Sequence, residues 1–217
     1  MGGQMRKGPA PVLTTLIACC LVLGAFGRGA AHLTEGFEHW TFEELRRTAA
    51  ARSELRFPEI AFQDSRGDRL LPFTAVRPSA YLVDFVYTRC PSVCLSLGSE
   101  FYQMQEVLRR DPDNAVHLIS ISIDPLRDDA PALAAYGQWH HADPAFWRIA
   151  APTTLASSTR LLSTLGVVAV PDGFGGFVHN SGIHLVDRLG RVQRVFDYAQ
   201  WQDALAAARQ LSLPVRP

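Results

Sequence analysis

The stretch Ala80-Tyr-Leu-Val-Asp-Phe-Val-Tyr-Thr-Arg-Cys90-Pro-Ser-Val-Cys94 joins an apolar run to two cysteines that lie four residues apart. A nearly continuous apolar run of this length is typical of a central strand that is buried on both faces of a sheet. Pro91 suits the first turn of a helix, because the N–H that proline lacks would have no partner there. The stretch therefore predicts a buried strand followed at once by a helix, with Cys90 near the helix N-terminus and Cys94 about one turn further in.

The segments around this stretch predict a single α/β domain, because strand-like and helix-like patterns alternate and end in a hairpin and a closing helix. The predicted helices span residues 41–52, 97–109, 130–139, 154–165 and 199–211. The predicted strands span residues 59–63, 69–73, 80–87, 115–123, 146–149, 183–186 and 192–196. We expect residues 58–217 to form the folded domain, and residues 28–57 to form a lead-in with a short helix that opens at a Thr-x-x-Glu capping box.

The composition is that of an ordinary globular protein, with 217 residues of which 47% are hydrophobic and 19% are charged. The 21 lysine and arginine residues balance the 21 aspartate and glutamate residues. Since the chain has neither an excess of positive charge nor a basic patch, no bulk field favours a polyanion. We expect no nucleic-acid partner.

Residues 1–27 differ from the rest of the chain and predict a membrane anchor or a signal segment. Arg6 and Lys7 precede a charge-free stretch from Gly8 to Gly27, which as a helix would span about 30 Å, one bilayer core. Positive charge before the stretch predicts that the N-terminus lies on the inner side of the membrane and the domain on the outer side. A cleaved secretory signal and a lipoprotein signal at Cys19 are the alternatives, and all three export the domain. The stretch is too poor in arginine and serine for a mitochondrial presequence, so we expect a bacterial inner-membrane protein with its domain in the periplasm.

Cys90 and Cys94 are the only cysteines outside the N-terminal segment. A structural disulfide is one interpretation in an oxidising compartment, but closing so short a loop stabilises a fold very little. A helix N-terminus favours the thiolate, which is both the nucleophile and the metal ligand of cysteine chemistry. Residues four apart on a helix have Cβ atoms about 5–6 Å apart, which suits a shared metal ion better than a relaxed disulfide. Metal binding and reversible redox chemistry both stay open.

Two thiolates leave coordination positions that histidine would fill best. His179 follows a glycine-rich loop, residues 171–178, that could carry its side chain over the cysteines and withdraw it. From the residues alone, a plain hairpin histidine is the alternative. The other histidines are His32 and His39 in the lead-in, His117 and His184 as satisfied strand residues, and His140 and His141 as a solvated helix end with a weak second metal site as the alternative.

Three separated motifs, residues 83–94, 121–131 and 178–187, resemble the Sco/SenC family of thioredoxin-like copper proteins in order and spacing. The resemblance covers residues 56 to 211 and implies a thioredoxin-like fold, with a central mixed β-sheet flanked by helices and a single N-terminal anchor. It implies a copper-binding metallochaperone that helps assemble the Cu-A centre of cytochrome c oxidase. The implied ligands of Cu(I) or Cu(II) are Cys90, Cys94 and His179. Asp124 matches the family's aspartate after the second central strand, which implies a redox-tuning role, with helix capping as the alternative.

The resemblance also implies partners: the oxidase subunit that carries the Cu-A site, and other periplasmic copper chaperones or thiol reductases. The alternative function is a thiol-disulfide reductase that keeps the target cysteines reduced, in which Cys90 attacks and Cys94 resolves the mixed disulfide. A peroxide-reducing enzyme is a third and fainter interpretation. Ser92 and Leu95 stand where the family often has an acidic residue and a proline, and the stretch before His179 is shorter than in many relatives. These departures leave the ligands intact and concern the partner surface.

Overall fold

The computed structural model of the chain describes residues 10–70, 72–73, 80–89, 93–111, 115–180 and 182–213, with side chains throughout except at residues 10–11 and 93–97. The chain divides into two compact units, residues 1–45 and residues 46–217. The second unit contains the central sheet and the helices that pack against it.

The first unit contains α1 (Ala10–Leu33), a helix of 24 residues. Within the described part of the chain, it is the one helix long and apolar enough to cross a membrane. Large apolar side chains such as Leu16, Leu21 and Phe26 are exposed along it. The helix continues past the predicted boundary at residue 27, since residues 28–33 contain no proline to end it.

The helix α2 (Phe42–Ala51) begins at the predicted capping box. The Glu44 N–H donates to the Thr41 hydroxyl at 3.1 Å, and the Thr41 N–H donates to Oε2 of Glu44 at 3.0 Å. These reciprocal bonds satisfy N–H groups that have no partner within the helix or before it. The predicted helix at residues 41–52 is thereby confirmed.

A seven-stranded mixed sheet forms the centre of the second unit. Its strands are β1 (Phe62–Asp64), β2 (Arg69–Leu70), β3 (Ala80–Val86), β4 (Val116–Ser122), β5 (Trp147–Pro152), β8 (Ile183–Asp187) and β9 (Val192–Phe196). They lie side by side in the order β2-β1-β5-β4-β3-β8-β9. Strands β3, β4 and β5 run parallel to one another, whereas β1, β2, β8 and β9 are added in antiparallel pairings. All seven residues of β3 are buried, as its apolar run predicts.

Four helices and a short 3-10 helix surround the sheet: α3 (Val93–Arg109), α4 (Ala130–Trp139), α5 (Leu155–Leu165), the 3-10 helix (Tyr198–Gln200) and α6 (Trp201–Ser212). Helices α3 and α6 pack against each other, while α4 and α5 pack against β5. Local chemistry sets the helix ends: Asp129 caps α4 by accepting from the Ala132 N–H, and Thr154 caps α5 by accepting from the Ser157 N–H. Gly166 ends α5 in the left-handed conformation, with φ of 63°, which glycine adopts without strain.

The parallel pairing of β3 and β4 determines where the functional segments lie. Since parallel strands point the same way, the segments that follow them leave from the same edge of the sheet. Residues 87–89 after β3 and residues 123–129 after β4 therefore lie side by side, and the Ile123 N–H donates to the Val86 carbonyl at 2.8 Å. We call this the cysteine edge, because Cys90 follows directly.

The structure confirms the mixed α/β class and most of the predicted elements, but it adds one hairpin. Strands β6 (Ala169–Pro171) and β7 (Phe177–His179) form a separate two-stranded sheet within the region predicted to be a glycine-rich loop. Strands of only three residues, one ending in proline and both joined by a glycine-rich turn, leave no alternating pattern to detect. The strands predicted at residues 59–63 and 69–73 are also shorter than expected.

Candidate functional site

The two predicted thiol ligands belong to the stretch of sequence that follows β3. Cys90 lies outside the described residues. Cys94 is the second residue of α3, and the structure describes its backbone but not its side chain. The described backbone ends at Arg89 on the cysteine edge and resumes at Val93 in the helix. The first turn of a helix presents unpaired N–H groups and the positive end of the helix dipole. The backbone thus places Cys94 where a thiolate is favoured.

His179 is the last residue of β7, and the hairpin brings it towards the cysteine edge. Its ring lies 6.4 Å from the ring of Tyr87, three residues before Cys90. The Tyr87 hydroxyl donates to the Phe177 carbonyl at 3.3 Å, and the Tyr87 and Phe177 rings meet edge to face at 5.5 Å. Burial lowers the pKa of the His179 imidazole. The imidazole is therefore neutral at neutral pH, which is the form that binds a metal ion.

The tip of the β6–β7 hairpin is held against the cysteine edge as well. Nη1 of Arg127 donates to the Gly175 carbonyl at 3.0 Å. Oδ1 of Asp172 accepts from the Phe174 N–H at 2.7 Å and from the Gly176 N–H at 2.9 Å, and these bonds lower the pKa of Asp172. A Cβ on Gly176 would lie 2.7 Å from the Tyr87 hydroxyl. Only glycine lets the tip approach Tyr87 this closely.

The base of the hairpin is fixed by the residue that follows His179. The Asn180 side chain accepts from the Val168 N–H at 2.7 Å and donates to the Gly166 carbonyl at 3.1 Å. The Asn180 N–H also donates to the Val168 carbonyl at 3.2 Å. These side-chain hydrogen bonds take the place of the backbone hydrogen bonds that longer strands would form. They therefore fix the pairing of the two chain segments just outside β6 and β7.

Asp124 lies on the cysteine edge and is only 7% exposed. Its Oδ2 lies 3.5 Å from Nη2 of Arg89 and 3.6 Å from Nη1 of Arg127. Arg89 immediately precedes Cys90, and Arg127 also holds the hairpin tip. Helix capping does not explain Asp124, because the cap of α4 is Asp129. The carboxylate instead pairs with the arginine that precedes Cys90 and with the arginine that holds the hairpin tip.

Sequence reasoning missed two buried carboxylates near the cysteine edge. Asp128 accepts three hydrogen bonds, two from Thr88 and one from Ser122. Asp84 lies in the middle of β3, and neither carboxylate oxygen has a partner with hydrogen-bond geometry in the described part of the chain. Burial raises the pKa of Asp84 to about 7, with the neighbouring Ser120 opposing the rise. Asp84 is a single polar residue within an apolar run, and Asp128 lies in the same motif as Asp124, to which the family resemblance gives the functional role.

The remaining histidines of the domain take structural positions. His184 is fully buried, with Nε2 2.8 Å from Nη1 of Arg46 and Nδ1 3.3 Å from the Val83 carbonyl. The prediction of a solvated helix end holds only in part, because His140 is half-buried and its ring occupies the space that a Cβ on Gly98 would need. His117 stacks on Tyr81, and His141 is exposed. Among the described side chains, no three histidines, cysteines, aspartates or glutamates converge on a metal position, so a second metal site at residues 140 and 141 gains no support.

The strand order and the parallel β3–β4 pair define the class of thioredoxin-like proteins, and the two cysteines follow β3 in the sequence. Solved structures with this fold match nearly their whole length to the chain. The SCO1/SenC family model matches residues 64–212, which is more than half of the chain. The chain belongs to the SCO1/SenC family.

Three relatives illustrate the similarity. The mouse protein "SCO2 homolog, mitochondrial" is 30% identical over 142 residues, which cover 64% of the chain and 54% of the mouse protein. ScoI of Bradyrhizobium japonicum, solved with copper bound, is 25% identical with a TM-score of 0.61, covering 73% of the chain and 99% of ScoI. BsSco, a member of the Sco family of cytochrome c oxidase assembly proteins with a disulfide switch, is 18% identical with a TM-score of 0.63, covering 73% and 94%. The chain spans about half the length of the mouse relative.

Proposed function

We propose that this protein is a copper-binding metallochaperone that helps assemble the Cu-A centre of cytochrome c oxidase, with Cys90, Cys94 and His179 as copper ligands. The observation that carries the proposal is the position of the β6–β7 hairpin. Tyr87 and Arg127 hold the hairpin against the cysteine edge, and the hairpin ends in His179. The copper-bound relative ScoI and the oxidase-assembly relative BsSco support the same proposal.

The chemistry of the donor set fits copper. Two thiolates and one neutral imidazole are soft or borderline donors, which favour Cu(I) over oxygen-seeking cations. Cys94 lies at a helix N-terminus that favours its thiolate, and burial keeps His179 neutral by lowering its pKa. Because that pKa is lowered, protonation of His179 would weaken copper binding only at a more acidic pH than for a free histidine.

Delivery of copper would proceed by ligand exchange. His179 lies on a two-stranded sheet that is separate from the central sheet, and an isolated hairpin is only marginally stable. Cys94 belongs to α3, a helix packed against the central sheet. His179 would therefore leave the metal first, opening a coordination position for a donor of the acceptor protein.

The second candidate function is a thiol-disulfide reductase that keeps the cysteines of the acceptor reduced. Cys90 would attack the target disulfide and Cys94 would resolve the mixed disulfide, both as thiolates. The disulfide switch of the relative BsSco favours this candidate. So does Asp84, whose pKa of about 7 would let it exchange a proton in the strand that leads to the cysteines. Asp124 and His179 would tune the thiols in this case.

We place the protein in the bacterial inner membrane with its domain in the periplasm. Residues 1–27 would be the anchor, residues 28–57 the lead-in and residues 58–217 the Sco/SenC domain. The exposed apolar side chains of α1 support the anchor. The proposed partners are the oxidase subunit that carries the Cu-A site and periplasmic copper chaperones or thiol reductases.

Metal analysis of the full chain, reduced and oxidised, tests the proposal. We expect about one copper per reduced wild-type chain, and none in the oxidised chain or in the double variant Cys90→Ser/Cys94→Ser. The variant Cys19→Ser/Cys20→Ser, which alters two exposed cysteines of α1, is the matched control and should bind copper as the wild type does. A reduced wild type that binds no copper would rule the metallochaperone out. Copper-free turnover of a disulfide substrate that is lost in Cys90→Ser would then favour the reductase.

A further inference from the structure

We propose that Asp128 is a positioning residue for the thiol site, because it fixes the backbone through which the chain enters Cys90. The proposal deepens the proposed function and rests on Cys90 being a functional thiol. It assigns to Asp128 the role of holding the loop that carries the first thiol, whereas the Asp124 carboxylate pairs with the half-exposed side chains of Arg89 and Arg127.

Asp128 binds the chain two residues before Cys90 through both of its carboxylate oxygens. Oδ2 accepts from the Thr88 N–H at 3.0 Å, and Oδ1 accepts from the Thr88 hydroxyl at 2.7 Å. A contact to both the backbone and the side chain of one residue fixes its position and its orientation. Thr88 is thereby held at the point where β3 has ended and the cysteine segment begins.

The carboxylate is itself held by β4. The Ser122 hydroxyl donates to Oδ2 of Asp128 at 2.6 Å, and it accepts from the Asp124 N–H at 3.0 Å. The Asp128 N–H donates to the Asp124 carbonyl at 3.0 Å. The end of β4, the turn after it and the end of β3 therefore form one hydrogen-bonded unit with Asp128 at its centre.

Burial separates this unit from the ion pairs nearby. Asp128 is 1% exposed, and hydrogen bonds to a buried charged group are about twice as strong as neutral ones. The Arg89 side chain that faces Asp124 is 55% exposed, and exposed ion pairs contribute little because water screens them. Of Asp124 and Asp128, the latter is therefore the one able to fix the geometry of the loop.

The hydrogen bonds of Asp128 affect the thiol site because Thr88 and Cys90 are close along the chain. A displacement of Thr88 moves Cys90, because only Arg89 separates them. Groups that orient metal ligands without touching the metal typically contribute about 10–100-fold to metal affinity. The same displacement changes the distance between the two thiols, and with it the equilibrium between dithiol and disulfide.

The test compares four substitutions in the full chain: Asp128→Ala, Asp128→Asn, Thr88→Val and Asp129→Ala. Asp128→Ala removes all three bonds, and we expect Cu(I) affinity, measured by competition with a chromophoric chelator, to fall about 10–100-fold. In Asp128→Asn the amide oxygen can still accept from the Thr88 N–H and the Ser122 hydroxyl, and the amide NH2 can donate to the Thr88 hydroxyl oxygen. This variant should therefore retain most of the affinity. Thr88→Val removes the hydroxyl bond alone and should show a smaller loss of affinity.

Asp129→Ala is the matched control, because it removes an adjacent carboxylate that caps α4. Its Cu(I) affinity should equal that of the wild type.

Two readouts separate positioning from a general loss of stability. The thiolate-to-copper absorption bands of the Cu(II) form should shift in Asp128→Ala and stay unchanged in Asp129→Ala, although both substitutions destabilise the fold. The dithiol–disulfide equilibrium of Cys90 and Cys94 in glutathione buffers should shift about threefold or more in Asp128→Ala, where tenfold corresponds to about 30 mV.

The outcomes distinguish this inference from the proposed function. If the wild type binds copper through its cysteines and the folded Asp128→Ala variant keeps wild-type affinity, bands and thiol equilibrium, the positioning role is wrong and the function stands. If the wild type binds no copper, the function is wrong, and the thiol equilibrium still tests the role of Asp128. If Asp128→Ala does not fold, an unchanged copper spectrum and thiol equilibrium in Thr88→Val overturns the inference.

Discussion

The cysteine edge and the β6–β7 hairpin meet at the proposed site but differ in how they are built. The cysteine edge continues strands β3 and β4 of a seven-stranded sheet, and the buried Asp128 fastens its two segments together. The hairpin pairs only with itself within the described residues, and its tip carries Phe174 with 96% of the residue exposed. One region belongs to the cooperative core, whereas the other has the few buried contacts typical of segments that open locally.

This difference suits a protein that must hold a metal ion and then give it up. Thiol donors on the core side would keep the ion bound while the partner approaches. A histidine donor on the hairpin would release first, since opening the hairpin leaves the central sheet intact. Substitutions in one region should therefore leave the other region unaffected.

The largest expected effect concerns Asp84, in the core strand that leads to the cysteines. The folded-state pKa is raised from 3.8 to about 7, so the folded state binds this proton more tightly than the unfolded state does. The contribution of this proton to the free energy of unfolding is fully present below about pH 4. It is lost as the pH rises from there through 7, and the total loss is about 4 kcal/mol, at about 1.4 kcal/mol per pKa unit. Asp84→Asn should remove this loss, which urea unfolding of the copper-free protein at pH 4 to 8 would measure.

The matched control for Asp84 is Asp203→Asn, which alters an exposed carboxylate of α6 and should keep the wild-type pH profile. An Asp84→Asn profile parallel to that of the wild type would mean that Asp84 is not the buried titrating group. The hairpin is not expected to respond to either substitution.

The second effect concerns Gly176, at the tip of the hairpin. A Cβ there would lie 2.7 Å from both the Tyr87 hydroxyl and Oδ2 of Asp172, so Gly176→Ala should push the tip away from the cysteine edge. Overpacking of this kind costs about 1–3 kcal/mol, and because the hairpin is a separate sheet we expect the cost to appear as hairpin opening. Hydrogen exchange of the β6 and β7 amides should accelerate, while exchange in β3 and β4 stays unchanged.

Phe174→Ala is the control for Gly176, because it alters the same turn at a side chain that is almost fully exposed. Its exchange rates should match those of the wild type. Faster exchange in β3 and β4 of Gly176→Ala would show that the hairpin and the core open together, and the contrast between the two regions would be lost.

The smallest effect concerns the ion pair between Arg89 and Asp124. The pair spans 3.5 Å, and the Arg89 side chain is 55% exposed, so Arg89→Ala should change the free energy of unfolding by less than about 1 kcal/mol. The change should fade as salt is raised, because salt screens exposed charges. Chemical unfolding at low and high salt measures both. A large, salt-insensitive loss would mean that Asp124, rather than Asp128, fastens the cysteine edge.

The sequence allows much of the fold to be predicted, since the buried strand at residues 80–87 and the capping box at Thr41 and Glu44 are local signals. Asp128 escapes such reasoning because its bonds to Thr88 exist only once β3 and β4 pair in parallel. The hairpin escapes it because its register depends on Asn180 reaching back to Gly166 and Val168. Asp84 reads as one polar residue in an apolar run, and only the packed sheet reveals that its carboxylate is fully buried.

The most direct test of the central claim is Cu(I) binding by the reduced full chain carrying His179→Ala, with the exposed His141→Ala as the matched control. We predict that His179→Ala weakens copper binding by at least the roughly 10–100-fold that the loss of a ligand-orienting group causes, changes the copper absorption spectrum and speeds release to a competing chelator. His141→Ala should behave as the wild type does. If His179→Ala leaves the stoichiometry, the affinity and the spectrum of bound copper unchanged, the hairpin does not carry a ligand and the account is contradicted.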